Sequence, residues 1–376
     1  MKSQICDLLG IEFPLFAFTH CRDVAAAVSK AGGLGVFGGA KMGADQLKIE
    51  LDWIDAHVDG KPYGVDLAIP ENMPTKDEKD QDSAALYARI PEQHKRFVSE
   101  LLVKHGVNPD SAVPADEPRR LSPFLDEAEK MVDESLRHPI RLIVNALGRP
   151  PQFMIDRAHR AGVPVGALVG SKEHAINQLQ IGVDVLIAQG TEAAAHCGEV
   201  TTMVLVPEVV RAVESIRPIP VLAAGGIVTG RQMAAAMAMG AAGAWTGSVW
   251  LTTVESDVPP VVRDKLLAAR SRDTLRSRAM TGKTARQLRS AWSDAWEGPD
   301  SPGPLPMPFQ HLLTDRAFQQ AAKAVETGNP KAAAIVSEGV GQGIGLVDSV
   351  RSCREVVQEF MEDFAEALER MRALAE

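Results

Sequence analysis

Val183-Asp-Val-Leu-Ile-Ala188 runs directly into Gln189-Gly-Thr-Glu-Ala-Ala-Ala-His-Cys-Gly198, and Pro220-Val-Leu-Ala-Ala224 runs into Gly225-Gly-Ile227. Each is a short apolar run ending in a glycine-bearing loop, which is the pattern of a buried parallel strand and the turn that follows it. Val206 to Ile216, between them, has helical spacing. In a parallel α/β protein the loops after the strand carboxyl ends open on one face. The two loops therefore place a histidine, His196, beside a cradle able to hold an anion, which points to an enzyme with a phosphorylated cofactor.

The same rhythm extends outward in both directions. Upstream come strand Leu142 to Ala146, helix Pro151 to Ala161, strand Val165 to Val169 and helix Lys172 to Ile181; downstream come helix Arg231 to Met239 and strand Ala242 to Thr246. Nearer the amino terminus, Phe13 to Phe18, Leu34 to Gly38 and Tyr63 to Ile69 read as strands. Asp23 to Ala31 and Asp45 to His57 read as helices, the second with Leu47, Leu51 and Ile54 on one face. So many strand–helix units predict closure into a (β/α)8 TIM barrel rather than a doubly wound sheet. Residues 1–70 and 139–254 are assigned to this core. Glu71 to His138 is polar and proline-punctuated and reads as a helical insertion near the barrel mouth, and 255–376 as a mainly helical region that completes and flanks the barrel.

Gly33-Leu-Gly-Val-Phe-Gly38 spells a dinucleotide-binding fingerprint. That fingerprint must follow a strand and open a helix. Here it follows a helix and its interior is itself the strand, so its glycines are read as serving a tight turn and close packing.

The chain has 376 residues, 45% hydrophobic and 24% charged, enough for a full core. A formal charge of −9 with scattered Lys and Arg lacks the basic stripe of a nucleic-acid binder. Leu8 to Phe18 is interrupted by Glu12 and Pro14, which excludes an export signal, and no run reaches the roughly 18 apolar residues of a membrane helix. Cys6, Cys21, Cys197 and Cys353 have no paired spacing, so they read as reduced thiols of a cytoplasmic protein with no metal site. A small-molecule partner remains, and nothing argues against a homo-oligomer.

Among the histidines His196 stands apart by address. It lies beyond a strand end, between Glu192 and Gly198, and an imidazole there can move a proton at neutral pH. Cys197 is a weaker nucleophile candidate, because no activating partner is visible. The loops Ala223-Ala-Gly-Gly-Ile227 and Trp245-Thr-Gly-Ser248 end consecutive strands, and paired loops of this kind are how late barrel strands hold a phosphate.

These segments, with Ala31-Gly-Gly-Leu-Gly35, Lys61-Pro-Tyr-Gly-Val-Asp66, Gly240-Ala-Ala-Gly-Ala-Trp-Thr-Gly-Ser248 and Gly341-Gln-Gly-Ile-Gly345, resemble in order the signatures of the nitronate monooxygenase family, formerly 2-nitropropane dioxygenases. The resemblance implies an FMN-containing TIM barrel that oxidises alkyl nitronates with O2 to a carbonyl compound and nitrite. It implies His196 as the base over the flavin and the phosphate on Gly225, Gly226, Gly247 and Ser248. Ala17, Phe18, Asp66, Gln189, Ala194, Trp245 and Thr246 would border the rest of the cofactor.

Three departures bear on the substrate side. The family's Glu-Ala-Gly-Gly-His reads Glu192-Ala-Ala-Ala-His196, its Gln-Ala-Pro-Met reads Ala17-Phe-Thr-His20, and Trp245 replaces a glutamine. His20 thereby becomes a second candidate catalytic imidazole. An NAD(P)H-dependent FMN reductase of a quinone or enoyl thioester on the same barrel is the alternative reading, and a flavin-free barrel binding a phosphorylated metabolite is a third.

Overall fold

Eight short strands close on one another in chain order, each parallel to the next: β1 (Leu15–Thr19), β2 (Leu34–Gly38), β3 (Tyr63–Leu67), β4 (Leu142–Asn145), β5 (Val165–Val169), β6 (Val185–Gln189), β7 (Val221–Ala224) and β8 (Gly243–Thr246). The ring closes where Phe16 of β1 pairs with Trp245 of β8. The chain is thus the expected TIM barrel with helices between its strands. This is a computed structural model, and it describes residues 3–40, 42–71, 83–113 and 125–376.

Alternation along each strand sorts the side chains into two cores. Phe16, Val36, Val144, Ile187, Leu222 and Trp245 fill the lumen. Leu15, Ala17, Ala167, Leu186, Ala223 and Ala244 face outward onto the helices. The helix Gln4–Leu9 adds Ile5 and Leu9 to the lumen cluster, and Ser3 Oγ donates to the carbonyl of Ala242 just before β8. This plugs the amino-terminal end, so ligands must enter from the carboxyl ends of the strands.

The glycines of the false fingerprint serve packing. A Cβ on Gly35 would lie 2.0 Å from the Ala25 carbonyl oxygen, so β2 can approach the helix Arg22–Lys30 only because position 35 has no side chain.

Within 71–138, the helices Ser83–Ala88 and Glu92–Lys104 pack on the later helix Phe309–Glu326, and His94 Nε2 donates to the Gly303 carbonyl at 3.1 Å. The helix Leu125–Ser135 instead packs between Ala44–His57 and Gln152–Arg160, where the crossover from β3 to β4 requires one. Residues 72–82 and 114–124 of this stretch lie outside the described residues.

The region after 255 is not helical throughout. It contains an antiparallel hairpin, β9 (Thr274–Ser277) and β10 (Ala285–Leu288). It ends in the helix Cys353–Ala375, which starts from a Ser352–Glu355 capping box and packs on Gly230–Ala238. Among the described residues no helix is long and apolar enough to cross a membrane.

Candidate active site

Strand alternation decides which of the candidate residues face the mouth. Val65 and Leu67 belong to the outer core, so Asp66 between them turns into the lumen. The same rule turns in Phe18, Gln189 and Trp245. Trp245 stacks between Phe16 and Phe18, with ring centroids 6.1 Å from each, and forms an aromatic wall on one side of the lumen. Ala17 and Thr246 face outward: Ala17 lies in the outer core, and the Thr246 hydroxyl donates to Phe16 O (2.7 Å) and accepts from Trp250 Nε1 (2.9 Å). These two can offer a ligand only their backbone.

The two glycine loops are fixed by neighbours outside the barrel. Gly225 and Gly226 adopt φ of +111° and +73°, which a side chain disfavours. Gln232 locks this loop by donating to Gly226 O (2.9 Å) and accepting from Val228 N–H (2.9 Å). At the second loop, the Gly341 N–H donates to Ser248 Oγ at 2.9 Å. Because that hydroxyl already accepts, its own proton is available to an anion. A Cβ on Gly343 would meet Gly226 O at 2.8 Å, so the Gly341–Gly345 segment lies across both loops and joins them. Gly247 differs from Gly225, Gly226, Gly341 and Gly343: a Cβ there would meet nothing nearer than Phe18 O at 4.0 Å.

His196 is held by a contact that the sequence did not reveal. Its Nδ1 donates to the carbonyl of Thr284, at the start of β10, at 3.2 Å. Ala195 N donates to Arg286 O at 2.9 Å and Arg286 N returns a bond to Ala195 O at 2.8 Å, so the hairpin grips the loop on both sides of the imidazole. A carbonyl can only accept, so Nδ1 carries the proton and Nε2 presents a lone pair. The residue is exposed, yet crowding by the hairpin lowers its pKa below the ordinary histidine value; the Thr284 bond opposes this and the charge of Lys283 assists it.

His20, just after β1, is held in a similar way. Its Nδ1 donates to Gly38 O at the end of β2 at 2.8 Å, and its ring meets Phe18 edge-on at 5.1 Å. β1 and β6 are three apart in the ring by way of β8 and β7, and both imidazoles follow the carboxyl ends of their strands. Glu192 is not a partner of His196. Its carboxylate accepts from Thr202 N–H (2.9 Å) and Thr202 Oγ1 (2.8 Å). The Cys197 thiol is pushed up by burial, although Arg276 and Arg286 pull it down, so it is a poor nucleophile.

Ala195, where the family pattern has glycine, adopts φ +55°. A left-handed alanine costs about 1–2 kcal/mol. Replacing it with glycine returns about 0.4–1 kcal/mol to the unfolded chain as entropy. Ala195→Gly is therefore expected to raise the melting temperature slightly, by roughly 1–2 °C. A fall in melting temperature would show that the hairpin bonds, and not backbone strain, dominate there.

The fold is a closed parallel barrel with a blocked base, two glycine loops after its last strands and two imidazoles beyond the carboxyl ends of its strands. Residues 2–363 match the family model described as nitronate monooxygenase. Across the full length of both chains, the protein is 46% identical to Rv1533 of Mycobacterium tuberculosis, provisionally named a monooxygenase. It is 26% identical to a protein of Staphylococcus aureus named as a probable nitronate monooxygenase, over 85% of this chain and 87% of that one. Among solved structures, a nitroalkane oxidase from Streptomyces ansochromogenes matches with a TM-score of 0.78 and 26% identity, covering 98% and 99% of the two chains. FabK from Thermotoga maritima matches with a TM-score of 0.72 and 27% identity, covering 100% and 99%. The chain belongs to the nitronate monooxygenase family and is an oxidoreductase of the flavin-dependent kind.

Proposed function

We propose that the protein binds FMN in the barrel mouth and oxidises alkyl nitronates with O2 to a carbonyl compound and nitrite. The observation that carries this reading is His196, whose Nδ1 is fixed by Thr284 O and whose pKa is held below the ordinary value, so that Nε2 offers a lone pair. Lys283 is the charge that acts on it, while the buried Arg286 bonds Thr191 O and Thr274 Oγ1 and Arg276 lies 3.8 Å from Glu199. An imidazole in this form can take the α-proton of a nitroalkane that arrives protonated.

The described residues fit the cofactor. The Gly225–Gly226 and Gly247–Ser248 loops suit its phosphate. Asp66 brings a buried oxygen with no hydrogen-bond partner, and Trp245 and Phe18 form a flat apolar wall. When bound, the flavin supplies the electron transfer between substrate and O2. The chain's own contribution is orientation, exclusion of water by the aromatic wall, and proton movement at His196 Nε2. His20 would face the substrate from the β1 side of the mouth.

A base acts when deprotonated, so activity falls as pH drops through its pKa. With His196 below its ordinary value, the acid limb of kcat/KM on a neutral nitroalkane is expected below pH 6.5. Lys283→Met removes a charge that opposes protonation and should move the limb upward. A limb above pH 6.5 in the wild type, or one that Lys283→Met leaves in place, would detach this titration from His196.

The likeness to FabK supports a second reading, an NAD(P)H-dependent flavin reductase. Anaerobic mixing with NADH and NADPH separates the two, because only a reductase loses its flavin colour with either.

A further inference from the structure

Asp66 stands out even within this site. It is 2% exposed, and among the described residues it is the only carboxylate with a buried oxygen, Oδ1, that lacks a hydrogen-bond partner. Among the described residues no cation acts on its charge. On β2, its paired residue Gly38 has no side chain, and the His20 imidazole occupies the space over Gly38 while donating to that glycine's carbonyl. On β4 its paired residue is the aliphatic Val144. Asn145, next along, spends its amide on Ile69 N–H (2.9 Å) and Ile69 O (3.0 Å). The N–H of Ala146 donates to Leu67 O at 2.8 Å and also favours the charged form of Asp66, though less than burial disfavours it. Farther out, Glu71 is exposed and lies 3.8 Å from Arg149. Among the described residues, His20, which follows β1 and lies over Gly38 of β2, is thus the titratable side chain set over the neighbouring strand.

We propose that Asp66 serves as a neutral carboxylic acid, a paired hydrogen-bond donor and acceptor for the imide edge of the ring seated in the mouth. The proposal rests on the flavin reading above and adds the protonation state and the pairing. An ionised carboxylate only accepts, and it would repel the ring carbonyls beside the imide N–H. The neutral acid offers an O–H and a C=O side by side, which matches an adjacent C=O and N–H on the ring. Burying an unpaired carboxylate is costly, and burial pushes the Asp66 pKa up to about 8, so the acid form is present at neutral pH.

The experiment is FMN affinity against pH for the flavin-stripped protein, from about pH 7 to 9.5. In the wild type the dissociation constant should rise above pH 8, approaching tenfold per pH unit. Asp66→Asn, whose amide keeps one donor and one acceptor but cannot titrate, should bind FMN with a flat profile. His20→Gln should keep the wild-type slope. A flat wild-type profile, or the same slope in Asp66→Asn, overturns the proposal. Should no FMN bind at all, the flavin reading fails separately, and urea unfolding of the flavin-free protein still decides the state of Asp66. A folding constant that falls relative to Asp66→Asn by up to tenfold per pH unit from about pH 5 to 8, then levels off, supports the neutral acid. A ratio independent of pH overturns it.

Discussion

His196→Asn should bind FMN normally yet lose about 10²- to 10⁴-fold in kcat/KM on neutral nitroalkanes, the usual contribution of a positioned general base. The asparagine keeps a polar group near Thr284 O but cannot accept the α-proton. The loop should hold its shape, because Ala195 and Arg286 join it to the hairpin through backbone bonds that the substitution does not touch. Preformed nitronates have already lost that proton, so the loss on them should be smaller if His196 acts only as a base. An equal loss on both substrate types would assign it to positioning or to charge stabilisation. Wild-type kinetics on both would make His196 structural and shift the test to His20.

Gly247→Asp is expected to abolish flavin binding. It is a cleaner probe than Gly226→Asp. At Gly226 the backbone has φ +73° and a Cβ would press on Glu192 Cβ at 3.1 Å, so any side chain there strains the fold before it meets a ligand. Gly247 has φ −131° and open space around its Cβ position. A carboxylate there should leave the melting temperature of the flavin-free protein near that of the wild type, while its charge repels the phosphate. Gly247→Ala, with no charge, should retain most binding. Full flavin occupancy in the aspartate variant would move the phosphate elsewhere.

The barrel was legible because strand-and-helix periodicity is local: Val185–Gln189 and Val221–Ala224 carry their own apolar runs and glycine stops. Boundaries were less so. The helix read from Val206 begins at Thr202, because the one N–H missing at Pro207 inside an otherwise apolar helix is outweighed by packing of Leu205, Val206 and Val209. The lumen-facing candidates Phe18, Asp66, Gln189 and Trp245 follow from alternation once the strands are placed.

What the sequence hid was the support for His196. β9 and β10 are four residues each and carry Arg276, Arg286 and Gln287, so no apolar alternation marks them. Thr284 and Arg286 act on the loop through backbone atoms, which no residue type announces. The turn glycine Gly282, at φ +83°, was the one local signal of a hairpin.

The most direct test of the central claim is the visible absorbance of the purified protein, mixed anaerobically with an alkyl nitronate and then with air. Function as proposed predicts about one FMN per chain, loss of the oxidised-flavin absorbance on adding the nitronate but not NADH or NADPH, and recovery in air with release of nitrite. A colourless protein, or a flavin bleached by a nicotinamide and untouched by nitronate, would contradict it.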